Sequence, residues 1–188
     1  MDTIERVKNI ILSPKTEWKV IEAEEMTASK LLTSYLILLA LIPAIASFIG
    51  FGLIGYNVLG IHIGSISVGI RQAVISFFGM IASIYLTAYI ITWLAPKFGS
   101  TADFNKAFQL VGYSYTPMCV AGILYILPAL GTLAGIMGLY GLYILFIGLA
   151  PMMKTPEDKI TTYFLTTIVC VIVIALLFSV LLGALYIL

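Results

Sequence analysis

Charge is scarce in this chain, and it is absent where membrane chemistry usually needs it. Only 10% of the 188 residues are Asp, Glu, Lys or Arg. None lies inside five long apolar runs, roughly Leu31–Ile54, Arg71–Leu94 (its Arg at the very end), Val111–Leu127, Ala129–Pro151 and Thr161–Leu188. Ionisable groups within spans are the usual carriers of protons and ions, so proton-coupled transport is not expected. Histidine occurs once, as His62; there is no HExxH and no metal constellation. The phosphate-cradling GxxxxGK[ST] pattern is also missing, and no recognisable acid–base set stands in for it. These gaps argue against an enzyme and against any cofactor. Two cysteines, Cys119 and Cys170, both fall mid-span; they read as packed thiols, not as a disulfide. Net charge is +1, and no basic patch with interleaved aromatics points to nucleic acid.

Apolar residues fill the space. They make up 61% of the chain, with a mean hydropathy of +1.10. A run of ~20 apolar residues suffices for a helix to cross the hydrocarbon core. The expected fold is therefore all-α and polytopic, with five transmembrane helices. Residues 1–30 form a cytoplasmic or interfacial segment, and residues 31–188 the five-span membrane domain. Met1–Lys30 has no apolar core of the signal-peptide type, so the first span is expected to be the insertion signal. Lys and Arg favour cytoplasmic loops. Arg6, Lys8, Lys15, Lys19 and Lys30 precede the first span, Lys97 and Lys106 follow the second, and Lys154 and Lys159 follow the fourth. Nine of the ten basic residues thus fall on one side, leaving Arg71 opposite. The expectation is a multi-pass protein of the plasma (inner) membrane, N-terminus in the cytoplasm, C-terminus outside. Tyr56, Trp93, Tyr125, Tyr163 and Tyr186 lie near span ends, where amphipathic rings suit the headgroup layer.

Ile4, Val7, Ile10 and Ile11 recur at helical spacing, with Glu5, Arg6 and Asn9 on the other side. Ser13-Pro14 reads as a cap and first-turn proline, opening a second helix with Trp18, Val20 and Ile21. Two placements stand open: helices lying in the interface with Trp18 as anchor, or helices packed across the end of the bundle. Thr27 is placed to cap the first span, and Pro43 to bend it. Between Gly55 and Ile70, alternation gives a weak hairpin signal around Gly64-Ser65; a surface coil fits as well. Thr101 is a candidate cap for the third helix.

Three features are candidates for function. Tyr113, Ser114, Tyr115, Thr116 and Pro117 form the most polar patch within a span. They read either as a proline kink with local hydrogen bonding or as a polar cavity for a small ligand or lipid headgroup. Gly131, Gly135, Gly138 and Gly141 form a small-residue stripe, suited to packing within the chain or to a homo-oligomer interface. Lys154, Thr155, Pro156, Glu157, Asp158 and Lys159 form a charged loop. Thr155 could cap the next helix, with acids in its first turn, and the loop could also dock a cytoplasmic partner.

Taken together, Ala107-Phe108, Gly112-Tyr113-Ser114-Tyr115-Thr116-Pro117, the segment from Tyr140-Gly141-Leu142-Tyr143 to Gly148-Leu149, and Met153 to Lys159 resemble the Yip domain family, in its prokaryotic branch. That family of membrane proteins was first defined by interaction with Ypt/Rab GTPases. Ser13-Pro14 with Trp18 is similar too. The resemblance implies five helical spans and a cytoplasmic N-terminus, with action through partners. The family's acidic Asp-Leu-Tyr-Gly-Pro type motif has only Gly138-Leu139-Tyr140-Gly141 as counterpart, so GTPase binding is not carried over. The leading expectation is a non-enzymatic membrane protein that interacts with membrane lipids or with protein partners of unknown identity. The alternative is a small uncoupled permease or channel.

Overall fold

The computed structural model describes residues 2–58 and 61–185. Helices α1 (Thr3–Leu12) and α2 (Pro14–Ala23) precede a long bent helix. That helix covers Ala28–Ile54 and contains α3 (Ala28–Leu31) and α4 (Ile37–Phe48), with π-helical turns at Leu32–Leu36 and Ile49–Ile54. Pro43 lies inside α4. Thr27 caps the start, its hydroxyl accepting from the Lys30 N–H at 3.3 Å. A short antiparallel hairpin, β1 (Tyr56–Val58) and β2 (Ile61–Ile63), leads to α5 (Ile66–Leu94). The hairpin thus turns earlier than the alternation around Gly64-Ser65 predicts. Ser65 instead caps α5, accepting from the Val68 N–H. Then come α6 (Phe104–Ser114), α7 (Thr116–Ala121), α8 (Gly131–Met153) and α9 (Ile160–Leu185).

Among the described residues, four helices are long and apolar enough to cross a membrane: Ala28–Ile54, Ile66–Phe98, Pro128–Met153 and Glu157–Leu177. The third run predicted from sequence is not one such helix. It breaks at Tyr115, restarts as α7, and tightens into a 3-10 turn over Gly122–Ile126. Pro117 is the reason: it has no N–H to donate and cannot continue α6, so it sits in the first turn of a new helix. Many large apolar side chains face outward, among them Leu38, Ile45, Val74, Phe78, Tyr89, Leu139 and Val169. A belt of that kind on a helical bundle is a lipid-facing surface. This is a membrane protein.

The broken element is the centre of the bundle. Every residue of α6 from Ala107 to Ser114 is buried. It runs parallel to the first long helix, contact by contact. The Asn105 carboxamide accepts from the Ala28 N–H (2.9 Å), and the Tyr35 and Thr116 hydroxyls lie 2.9 Å apart. Farther along, Gly122 sits against Pro43 and Gly50 against the Tyr125 carbonyl, each too close for a Cβ. Glycine is used there because the backbones touch. Peripheral α9 is fastened by Tyr163, whose hydroxyl donates to the Ile91 carbonyl at 2.5 Å and whose ring stacks on Phe98. Tyr163 is fully buried, which corrects its expected headgroup placement. Trp93 is exposed, with the Lys97 ammonium 3.9 Å over its ring. Tyr186 lies outside the described residues.

Candidate functional site

The N-terminal helices pack against the bundle. Trp18 is 1% exposed, and its indole N–H donates to the Ile144 carbonyl at 3.1 Å. Ile144 lies nine residues before the end of α8, about 13 Å at 1.5 Å per residue. The Tyr140 hydroxyl donates to the Ile11 carbonyl (2.6 Å). Packing against the bundle, one of the two placements open from sequence, is thus present. The faces of α1 largely follow the periodicity, with Ile10 buried and Glu5 exposed, but Arg6 is 4% exposed and Ile4 is open.

Arg6 turns inward because two carboxylates await it. One guanidinium nitrogen donates to Glu17 at 2.5 Å and the other to Glu24, and the group lies 5.4 Å over the Tyr113 ring. Burial works against its charge. The hydrogen bond to Glu24 and the fields of Tyr113, Glu24 and Glu17 outweigh that and hold its pKa above the ordinary value. The segment between α2 and the first long helix is stitched to α6. The Lys106 ammonium donates to the Glu22 and Glu24 carbonyls, and the Gln109 carboxamide donates to the Met26 carbonyl. The cap of α6 is Asp103, not Thr101; its carboxylate accepts from the Asn105 and Lys106 N–H groups.

The patch Tyr113–Pro117 divides between two sides of the bundle. Tyr113 meets Arg6, Trp18 and Tyr35, and Thr116 bonds Tyr35. Ser114 donates back to the Leu110 carbonyl (2.7 Å), the local bond expected of a kinked helix. Tyr115 turns to α5, beside Thr87 and Ser83. Kink and polar lining are thus both present, on different residues.

Three cavities surround this centre. A cleft of about 440 Å³ lies between the N-terminal segment and the first long helix, lined by Arg6, Glu24, Glu25, Lys30, Tyr35 and Tyr113 among others. A second, of about 350 Å³, is lined by Pro43, Ser47, Gln72, Ser76, Ser83 and Tyr125. Its α5 residues Gln72, Ser76, Gly79 and Ser83, followed by Thr87, fall within an arc of about 80° at 100° per residue. A third, about 230 Å³ and mostly apolar, has Gly138, Gly141, Ser114 and Tyr115 in its wall.

The glycine stripe of α8 does not act as one surface. Gly141 abuts the Ser114 carbonyl, where a Cβ would come to 2.6 Å, and Gly131 meets the Tyr125 ring at 3.4 Å. Gly138 has only the Met118 sulfur, 3.9 Å away, and Gly135 has nothing within 4 Å. The closest approach on α8 is at Gly148, a residue outside the stripe, under Trp18.

The loop from Lys154 to Lys159 also differs from expectation. Thr155 donates to the Leu149 carbonyl (3.2 Å) and accepts from Ser100 (2.9 Å), so it closes α8 and does not cap the next helix. Lys154 takes the left-handed conformation at the end of α8 (φ 51°), and Pro156 precedes a 3-10 turn of Glu157, Asp158 and Lys159. The Thr101 N–H donates to the Met153 carbonyl (2.8 Å). The loops after α5 and after α8 therefore meet at one end of the bundle. Cys119 and Cys170 are free, and the Cys119 thiol lies 3.4 Å from the Met80 sulfur.

Sequence reasoning missed the Arg6–Glu17–Glu24 cluster and the hydroxyl line on α5. The second had a visible signal, polar or small residues recurring at intervals of four, three, four and four from Gln72. The first had none, because the partners are 11 and 18 residues from Arg6 and meet only when α1 folds on α2.

The Yip1 domain family model matches residues 8–181. The chain is similar to the inner membrane protein YohC of Escherichia coli strain K12, 30% identical over 117 residues. That stretch is 61% of this chain and 60% of the length of YohC, so the match spans less than two thirds of the relative. The YohC protein of an Escherichia coli O6:H1 strain matches to the same extent. No solved structure matches.

Proposed function

The chain belongs to the Yip1 domain family, and from that premise we propose a non-enzymatic five-span protein of the inner membrane that acts by binding lipid or protein. The N-terminus is cytoplasmic and the C-terminus is outside. One observation carries the reading. The charged side chains of the described interior collect at one end, where Arg6 pairs with both Glu17 and Glu24. Deeper in, the polar groups are hydroxyls, a carboxamide and thioethers. That distribution suits recognition at the membrane surface better than charge transfer across it. Five crossings are supported by the broken α6–α7 element, which follows the first long helix from Ala28 to Gly50 with its own residues 105 to 125. Twenty residues of α-helix would rise about 30 Å, and the tighter turn at the end lengthens that slightly.

A second reading, an uncoupled permease for small neutral solutes, is favoured by the α5 hydroxyl line. The cavity it borders reaches Ser83, past the midpoint of α5, and ends against Met80 and Met118. Liposomes containing the purified full chain separate the readings. Under an imposed pH gradient and under a glycerol gradient, no protein-dependent flux is expected, and phospholipid should stay bound through purification. Glycerol flux would favour the permease, and proton flux would defeat both.

A further inference from the structure

We propose that the cleft beneath α1 holds the headgroup of a zwitterionic phospholipid bearing a primary ammonium; this rests on the lipid-binding side of the function above and names its ligand. The cleft lies where charge gives way to apolar sequence. Glu24, Glu25 and Lys30 stand on one wall, and Leu31 starts the apolar run that continues to Ile54. A headgroup entering there keeps its acyl chains beside the first long helix.

Its charge is balanced. Of the lining residues, Arg6 and Lys30 are positive and Glu24 and Glu25 are negative, two against two. Arg6 is already committed to Glu17 and Glu24. Lys30 and Glu25 are not in an ion pair with any described residue. One free cation and one free carboxylate at the same cleft suit a ligand carrying both signs, not an anionic lipid. The Glu25 carboxylate, with the open part of Glu24, accepts from the ammonium, and Lys30 donates to the phosphate.

Tyr113 supplies the independent observation. It is 2% exposed and lines the cleft, yet its hydroxyl bonds no described residue. Its ring is buried while its hydroxyl is left at the cleft without a described protein partner, and a phosphate oxygen there would accept from it. The preference for a primary ammonium over choline follows from the rings. Quaternary ammonium groups are held by aromatic faces, and the Tyr113 face is taken by Arg6. A primary ammonium has three donors to give to carboxylates.

The test uses the full chain purified in mild detergent and exchanged into nanodiscs of equal parts phosphatidylethanolamine, phosphatidylglycerol and phosphatidylcholine. Lipid retained after re-extraction is measured by mass spectrometry. Phosphatidylethanolamine should be enriched over both others in the wild type. The enrichment should fall about tenfold in the Glu25→Gln/Lys30→Ala double variant and clearly in Tyr113→Phe, as expected for lost charged hydrogen bonds. Among the described residues, neither Glu25 nor Lys30 uses its side chain in a hydrogen bond, and Phe keeps the Tyr113 ring under Arg6, so the melting temperatures should stay near wild type. Equal or greater retention of phosphatidylglycerol or phosphatidylcholine overturns the proposal while leaving lipid binding standing. Enrichment that survives in Tyr113→Phe and in the double variant also overturns it. Failure to retain any phospholipid counts against the function itself.

Discussion

The indole N–H of Trp18 donates to the carbonyl of Ile144 at 3.1 Å, and the same ring covers Gly148 so closely that a Cβ there would lie 2.6 Å from Trp18 Cε2. A residue 126 positions away in sequence is thereby keyed into a notch on α8. The notch exists because residue 148 has no side chain.

Gly148→Ala should therefore release the N-terminal helices while the rest of the bundle persists. The added methyl meets both Trp18 and Leu110 Cδ1, at 2.5 Å, and overpacking of this kind costs about 1–3 kcal/mol. Limited proteolysis in detergent should cut the segment before Ala28 faster in the variant. Unchanged cleavage would mean that Trp18 is not what holds it.

Arg6→Met should destabilise strongly. It leaves Glu17 buried without a cation, and breaking a buried pair from one side typically costs about 3–5 kcal/mol. Adding Glu17→Gln should restore part of the loss, because the orphaned charge is then gone. The check is a double-mutant cycle on thermal melts of the detergent-solubilised protein. If Arg6→Met alone melts like wild type, the cluster is not structural.

These two contacts mark where the sequence stopped being readable. Four of the five expected spans coincide with long apolar helices, and composition alone carries that far. Thr27 as a cap and Pro117 as the break in the third run were legible because each acts on its own backbone. Arg6 was not. Helical periodicity puts it on the polar face of α1, and only the approach of Glu17 and Glu24 from the next helix turns it inward. Trp18 was ambiguous for the same reason, since an indole suits both a headgroup layer and a glycine notch. Thr155 looked like a cap for α9, but its hydroxyl found the Leu149 carbonyl behind it.

The α8 glycines should respond unequally. Gly141→Ala drives a methyl towards the Ser114 carbonyl, 2.6 Å away and part of the backbone, so the helices must separate; a loss of about 1–3 kcal/mol is expected. Gly135→Ala meets open space and should be neutral or stabilising by up to about 1 kcal/mol through helix propensity. Melting temperatures compare them directly. Equal losses would restore the stripe as a single packing surface.

Topology gives the last expectation. The loops around Thr101 and Asp158 converge, with the Thr101 N–H on the Met153 carbonyl, and both carry lysines; the loop holding Ser65 carries no Lys or Arg before Arg71. Basic residues stay on the cytoplasmic side of short loops. Ser65 should then face outward and the other two inward. Cys119 and Cys170 are first replaced by alanine to remove background, and single cysteines are introduced as Ser65→Cys, Thr101→Cys and Asp158→Cys. A membrane-impermeant maleimide applied to intact cells should label the first and spare the other two. All three should label once the membrane is opened. Labelling of Thr101→Cys and Asp158→Cys in intact cells, with Ser65→Cys protected, would invert the protein. Labelling of Thr101→Cys without Asp158→Cys would place the two loops on opposite sides, against the bond that joins them.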